Sequence, residues 1–148
     1  MKVDLEKLTH LFEEHVKEIA RAYATIVPKA GFDAVVIHSG SLKSRTDFDD
    51  QFWPLRPTPH FQHWVPLAQP DCAIIYTIGK KPQLVWLQAN SIWEKPAKPE
   101  TEHFLGAFEI SRPTSLEKIK DLLPKSGKVA FKSCEPTRRA FHECNAVS

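Results

Sequence analysis

The chain has 148 residues, and 42% of them are hydrophobic, with four Trp and nine Phe. That is one domain's worth of core material, so neither a disulfide nor a metal is needed for folding. Twenty basic and eighteen acidic residues leave a net charge of +2, without the concentrated basic face of a nucleic-acid binder.

Residues 3–26 read as one amphipathic helix, with Leu5, Leu8, Phe12, Val16, Ile19, Tyr23 and Ile26 on one stripe. Pro28 is expected to end it, with Gly31 as the turn residue. Ala34-Val35-Val36-Ile37 then reads as a strand buried on both faces. Residues 42–71 hold five prolines among Phe48, Phe52, Trp53, Phe61 and Trp64. They follow neither helical nor strand periodicity, and so long a loop inside a compact domain is often functional. Residues 72–78 and 83–87 predict two strands joined as a hairpin through Gly79-Lys80-Lys81-Pro82. A polar stretch, 94–102, separates them from a strand over 107–110. Ser115 is placed as the cap of a short helix carrying Leu116, Ile119, Leu122 and Leu123, and residues 128–131 predict a last strand. Pro136 could open a final short helix. The order predicts an α/β domain with a mixed β-sheet flanked by helices.

Cys72, Cys134 and Cys144 are odd in number and form no Cys-x-x-Cys pair, which rules out a disulfide framework or a zinc ribbon. Cys72 in an apolar run reads as a reduced, buried thiol. The charged N-terminus does not read as a signal peptide, and no stretch of about 18 apolar residues is present to span a membrane. The expectations are a cytoplasmic location, no membrane and no nucleic-acid partner.

Little local chemistry is complete. His60 and His63 stand three apart, with Asp49 and Asp50 the nearest carboxylates, but a metal site needs a third ligand and outer partners. Ser39-Gly40 follows a buried strand without the Gly-x-Ser-x-Gly pattern of a nucleophile turn, and the five Gly are scattered singly rather than gathered in a phosphate loop. A Cys–His nucleophile pair has no local support, and His15, His38 and the other histidines show no partner set. The sharpest feature is Asp47-Phe48-Asp49-Asp50, three carboxylates inside the aromatic loop. Such a cluster is either a solvated acidic turn or holds a carboxylate aimed at a cationic group such as a substrate ammonium.

A larger pattern joins these pieces. Leu11, His15 and Ile19 on the first helix are followed by Phe32-Asp33-Ala34-Val35-Val36-Ile37-His38-Ser39-Gly40, Phe48-Asp49-Asp50 and Pro54-Leu55-Arg56-Pro57-Thr58-Pro59-His60-Phe61. Trp64-Val65-Pro66-Leu67, Lys81-Pro82-Gln83-Leu84 and Ile92-Trp93 complete the series. In order and spacing this resembles the amino-terminal domain of bacterial Xaa-Pro dipeptidase (prolidase) and of the related organophosphorus acid anhydrolases, the creatinase/prolidase N-terminal domain family. The resemblance covers residues 5–132, placing such a domain at 1–132 and a divergent tail at 133–148.

The resemblance implies a ribonuclease-H-like mixed α/β fold. It implies a full-length enzyme that hydrolyses Xaa-Pro dipeptides with two divalent metal ions, typically manganese, held by Asp, His and Glu of a second, pita-bread domain. That catalytic domain is expected to be absent from this chain, with no cofactor and no catalytic residue of its own. It further implies a homodimer in which the acidic loop reaches the partner's active site. Asp50, and Asp49 beside it, would orient the dipeptide near its amino group, and Trp64 would be a packing position. The alternative is a standalone truncated homologue acting as a dimerising or regulatory binding module without activity.

Overall fold

A 25-residue helix, α1 (Leu5–Lys29), opens the computed structural model, which describes residues 4–48, 51–88 and 103–133. Asp4 caps it, its carboxylate accepting from the Lys7 N–H at 3.4 Å. The helix continues three residues past the expected end, and Pro28 sits inside its last turn. This is tolerated because the Ala30 and Gly31 N–H groups still reach the Ile26 and Pro28 carbonyls, and Gly31 turns the chain at φ +81°. The buried stripe runs through Val16 and Ile19, then steps by four from half-buried Tyr23 to Val27. Ile26, expected on that stripe, is therefore 61% exposed.

Five strands follow: β1 (Ala34–His38), β2 (Ala73–Thr77), β3 (Gln83–Val85), β4 (Glu109–Ser111) and β5 (Val129–Lys132). They form one mixed sheet in the order β4-β3-β2-β1-β5. β1 and β2 are antiparallel with Val36 opposite Ile75, and β2 and β3 form the expected hairpin, turned by Gly79 at φ +77°. β5 lies parallel to β1 with Val35 opposite Ala130, and β4 lies parallel to β3. β4 starts two residues later than expected, because Leu105–Ala107 coils into a 3-10 turn first.

Strand alternation divides the core. Val35, Ile37, Ile74, Tyr76 and Leu84 pack with α1 and with α2 (Pro59–Trp64). Val36, Ile75 and Val85 pack with Ile119 of α3 (Leu116–Leu122) and with Leu123 just after it. A mixed sheet flanked by helices is thus the fold, as the sequence order implies. α2 corrects the expectation that 42–71 has no helical part: Pro59 occupies the first turn, where its missing N–H costs nothing. Phe61 and Trp64, three apart on α2, are both fully buried. Ser115 stands at the N-cap of α3 with extended backbone, but its side chain makes no capping hydrogen bond. The expected Pro136 helix and the 94–102 stretch lie outside the described residues. No helix among the described residues is long and apolar enough to cross a membrane.

Candidate functional site

β1 ends in a buried knot of polar groups. Ser39 is fully buried, and its hydroxyl donates to the Gln69 carbonyl at 2.8 Å while accepting from the Cys72 N–H at 3.0 Å. Its backbone is held on both sides: the Ser39 N–H donates to Cys72 O at 2.8 Å, and Thr58 N–H donates to Ser39 O at 2.9 Å. The Thr58 hydroxyl donates to the His38 carbonyl at 2.6 Å. Gly40 adopts φ +112° and its carbonyl accepts from the Asp71 N–H at 2.8 Å. Asp71 itself has φ +55° and takes a hydrogen bond from the Ser41 hydroxyl. The knot thereby ties the ends of the long 42–71 loop to the sheet.

The chemistry of the knot is structural. The Ser39 hydroxyl is fully buried, donates its hydrogen to one backbone group and accepts from another, so it acts as a structural bridge. His38 is buried, and its Nδ1 accepts from the Gly40 N–H at 3.1 Å, which places the ring hydrogen on Nε2. Nε2 lies 3.7 Å from Asp71 Oδ1. Burial pushes the His38 imidazole below its ordinary value, and Asp71 offsets this only in part. Burial also pushes the Cys72 thiol up to about 11, so Cys72 is a neutral core residue rather than a nucleophile. Thr58 and Asp71 are the knot members that sequence reading missed. The one signal for Asp71 was its place between Pro70 and a buried strand.

Beyond this base runs an exposed paired segment, the arm. Trp53 N–H donates to Lys43 O and Arg45 N–H to Gln51 O, both at 2.8 Å, and Ser44 bridges Phe52 in antiparallel fashion. The Arg45 guanidinium lies over the Trp53 ring, 4.9 Å from its centroid. Between Arg45 and Gln51 the sequence runs through Asp47-Phe48-Asp49-Asp50. Asp47 and Phe48 are exposed, Phe48 completely. Asp49 and Asp50, the predicted substrate-binding pair, lie outside the described residues.

The histidines find partners that spacing did not reveal. His15 Nε2 is 2.8 Å from the His63 carbonyl, so α1 donates to the end of α2, and the two imidazole rings meet edge-on at 5.4 Å. His103 packs edge-on against Phe12 at 5.3 Å. Among the described residues no three His, Cys, Asp or Glu side chains are grouped as metal ligands. His60 and His63 therefore gain no third donor there.

A family model described as the Xaa-Pro dipeptidase N-terminal domain matches residues 10–146, which include the strands, the knot and the arm. The chain belongs to the Xaa-Pro dipeptidase N-terminal domain family. The Xaa-Pro dipeptidase of Shewanella sediminis is 35% identical over 122 residues, covering 82% of this chain and 28% of the relative. That of Shewanella oneidensis is 32% identical over 121 residues, and that of Pseudoalteromonas haloplanktis 31% over 121 residues, each covering 81% of this chain and 27% of the relative. The chain thus spans little more than a quarter of the length of the curated relatives it matches. Within the family domain, Trp64 occupies a packing position as the resemblance implied: it is fully buried and meets Tyr23 edge-on at 5.1 Å.

Proposed function

We propose that this domain serves a Xaa-Pro dipeptidase-like dinuclear metallopeptidase as its non-catalytic dimerisation and substrate-pocket part. The observation that supports the reading is the arm: an exposed, paired segment, joined to the hydrogen-bonded polar knot, whose sequence between Arg45 and Gln51 is acidic. Asp50, with Asp49, is assigned to the amino group of the dipeptide bound in a partner's site. A carboxylate shielded from water holds an ammonium through charge-assisted hydrogen bonds. Exposed Phe48, Phe52 and Trp53 on the same arm supply apolar area for a homodimer contact. The reading is of a cytoplasmic enzyme.

The described residues of this domain offer no grouped donor set for the two divalent metals, manganese in this reading. No step is therefore assigned to a metal here, and its ligands are assigned to the second domain of the full-length enzyme. When bound there, the metals supply an activated water and polarise the scissile carbonyl.

A chimera tests the proposal. This chain replaces the matching N-terminal segment of the Shewanella sediminis Xaa-Pro dipeptidase, and hydrolysis of a Xaa-Pro dipeptide is followed with manganese. Turnover is expected to survive, and Asp50→Asn is expected to raise KM about ten-fold with kcat nearly unchanged, as loss of uniform binding requires. A folded chimera without turnover, or a KM indifferent to Asp50→Asn, would defeat the assignment. The chain by itself is expected to show no turnover and to scatter light as a dimer.

A further inference from the structure

A cavity of about 630 Å³, within the size range of small-ligand sites, lies where the arm meets the ends of β1 and β5. Arg45, Trp53, Leu55 and Arg56 line it from the arm and the segment after it, and Ser133 from the end of β5. Most of the lining is apolar, and no acidic side chain is among the described lining residues. Two features make the cavity more than a gap. The Arg45 guanidinium carbon lies over the Trp53 ring, 4.9 Å from its centroid, and Nη1 donates to Gln51 Oε1 at 3.3 Å. These two contacts position the guanidinium and leave its other N–H groups for a ligand. Across the cavity wall, the Ser133 hydroxyl is buried with no hydrogen-bond partner among the described residues. Buried hydroxyls ordinarily have one. Arg56 also enters no ion pair with a described residue.

We infer that this cavity binds a small organic carboxylate. Arg45 and Arg56 are planar forks that match a carboxylate's two oxygens. Trp53 and Leu55 cover an apolar or aromatic body, which a bare inorganic anion does not have. The site uses neither Asp49 nor Asp50 and requires no peptide hydrolysis, so it stands or falls apart from the peptidase reading.

The test is calorimetric titration of the whole chain with benzoate, inorganic phosphate and neutral benzamide. Benzoate is expected to bind saturably and at least about ten-fold more tightly than benzamide, with affinity falling as salt rises. Arg56→Gln, on an exposed side chain and checked for fold by circular dichroism, is expected to weaken benzoate about ten-fold. Arg45→Lys keeps the charge but loses the fork, and is expected to weaken it several-fold. The inference is overturned if benzoate fails to saturate, if benzamide matches it, if phosphate alone saturates, or if folded Arg56→Gln binds as the parent does.

Discussion

Thr58 donates its hydroxyl hydrogen to the carbonyl of His38, at 2.6 Å and across twenty positions of sequence. This one bond joins the last residue of β1 to the residue that opens α2, so it fixes where the long loop returns to the sheet. Thr58 is 2% exposed. Thr58→Val keeps the shape and deletes the donor, leaving a buried carbonyl without it, at a cost of about 1–3 kcal/mol. Thr58→Ser keeps the donor and is expected to cost clearly less. Urea unfolding of the two variants checks this; equal losses would mean that the methyl packing matters and the hydrogen bond does not.

Ser39 makes the companion prediction. Its hydroxyl bridges the Gln69 carbonyl and the Cys72 N–H, so Ser39→Ala orphans two backbone groups at once. A loss of about 2–4 kcal/mol is expected from two such groups. The parent chain should also resist labelling by a fluorophosphonate, because the hydroxyl is buried and already committed. Covalent modification of Ser39 under native conditions would contradict the structural role assigned to it.

The parts of this fold that were legible in the sequence are those set by local periodicity. Val35, Val36 and Ile37 announced a doubly buried strand, and Gly79 announced the hairpin between β2 and β3. α2 was hidden by the prolines around it, although Pro59 at a first turn and the Phe61–Trp64 spacing were its signal. The exposure of Ile26 in place of Val27 depends on how α1 lies across the sheet, which no stripe can specify. The knot was invisible for a different reason: Ser39, Thr58 and Asp71 are joined by hydrogen bonds to backbone groups, and backbone partners leave no trace in residue type. His15 illustrates the same limit, since its partner is a carbonyl of His63. Local chemistry left the acidic sequence open between a solvated turn and a ligand site, and its assignment to a substrate amino group came from the family resemblance alone.

His38 should make the domain sensitive to mild acid. Burial depresses its imidazole below the ordinary value of 6.5. The unfolded chain therefore takes up the proton first as pH falls, and protonation favours unfolding. The stability that neutral His38 contributes is complete above pH 6.5 and is lost as pH falls through the lower folded value. His38→Asn retains a side-chain acceptor for the Gly40 N–H but does not titrate in this range. It is expected to be less stable than the parent near pH 8, with a smaller further loss between pH 7 and pH 5. Urea midpoints at these pH values decide the matter; a parent and a variant with parallel pH profiles would show that His38 does not set the acid sensitivity.

Trp64 poses a quantitative question, because its indole Nε1 is buried with no hydrogen-bond partner among the described residues. A desolvated, unpaired N–H costs about 1–3 kcal/mol. Trp64→Phe removes that burden but leaves a void, and at ~24 cal/mol per Å³ plus the lost transfer energy the void costs about 1–2 kcal/mol. The two terms oppose each other and are of similar size. Trp64→Phe is therefore expected to lie within about 1 kcal/mol of the parent, whereas Trp64→Ala is expected to lose about 3–5 kcal/mol. The contacts at stake are the edge-on ring of Tyr23 at 5.1 Å and the tilted ring of Tyr76 at 5.8 Å. A Phe substitution keeps an aromatic face toward both, while Ala removes it. Thermal unfolding of the pair of variants measures the balance. A loss for Trp64→Phe near that for Trp64→Ala would mean that the indole N–H is satisfied in solution, and that the nitrogen is part of what holds α2 to the sheet.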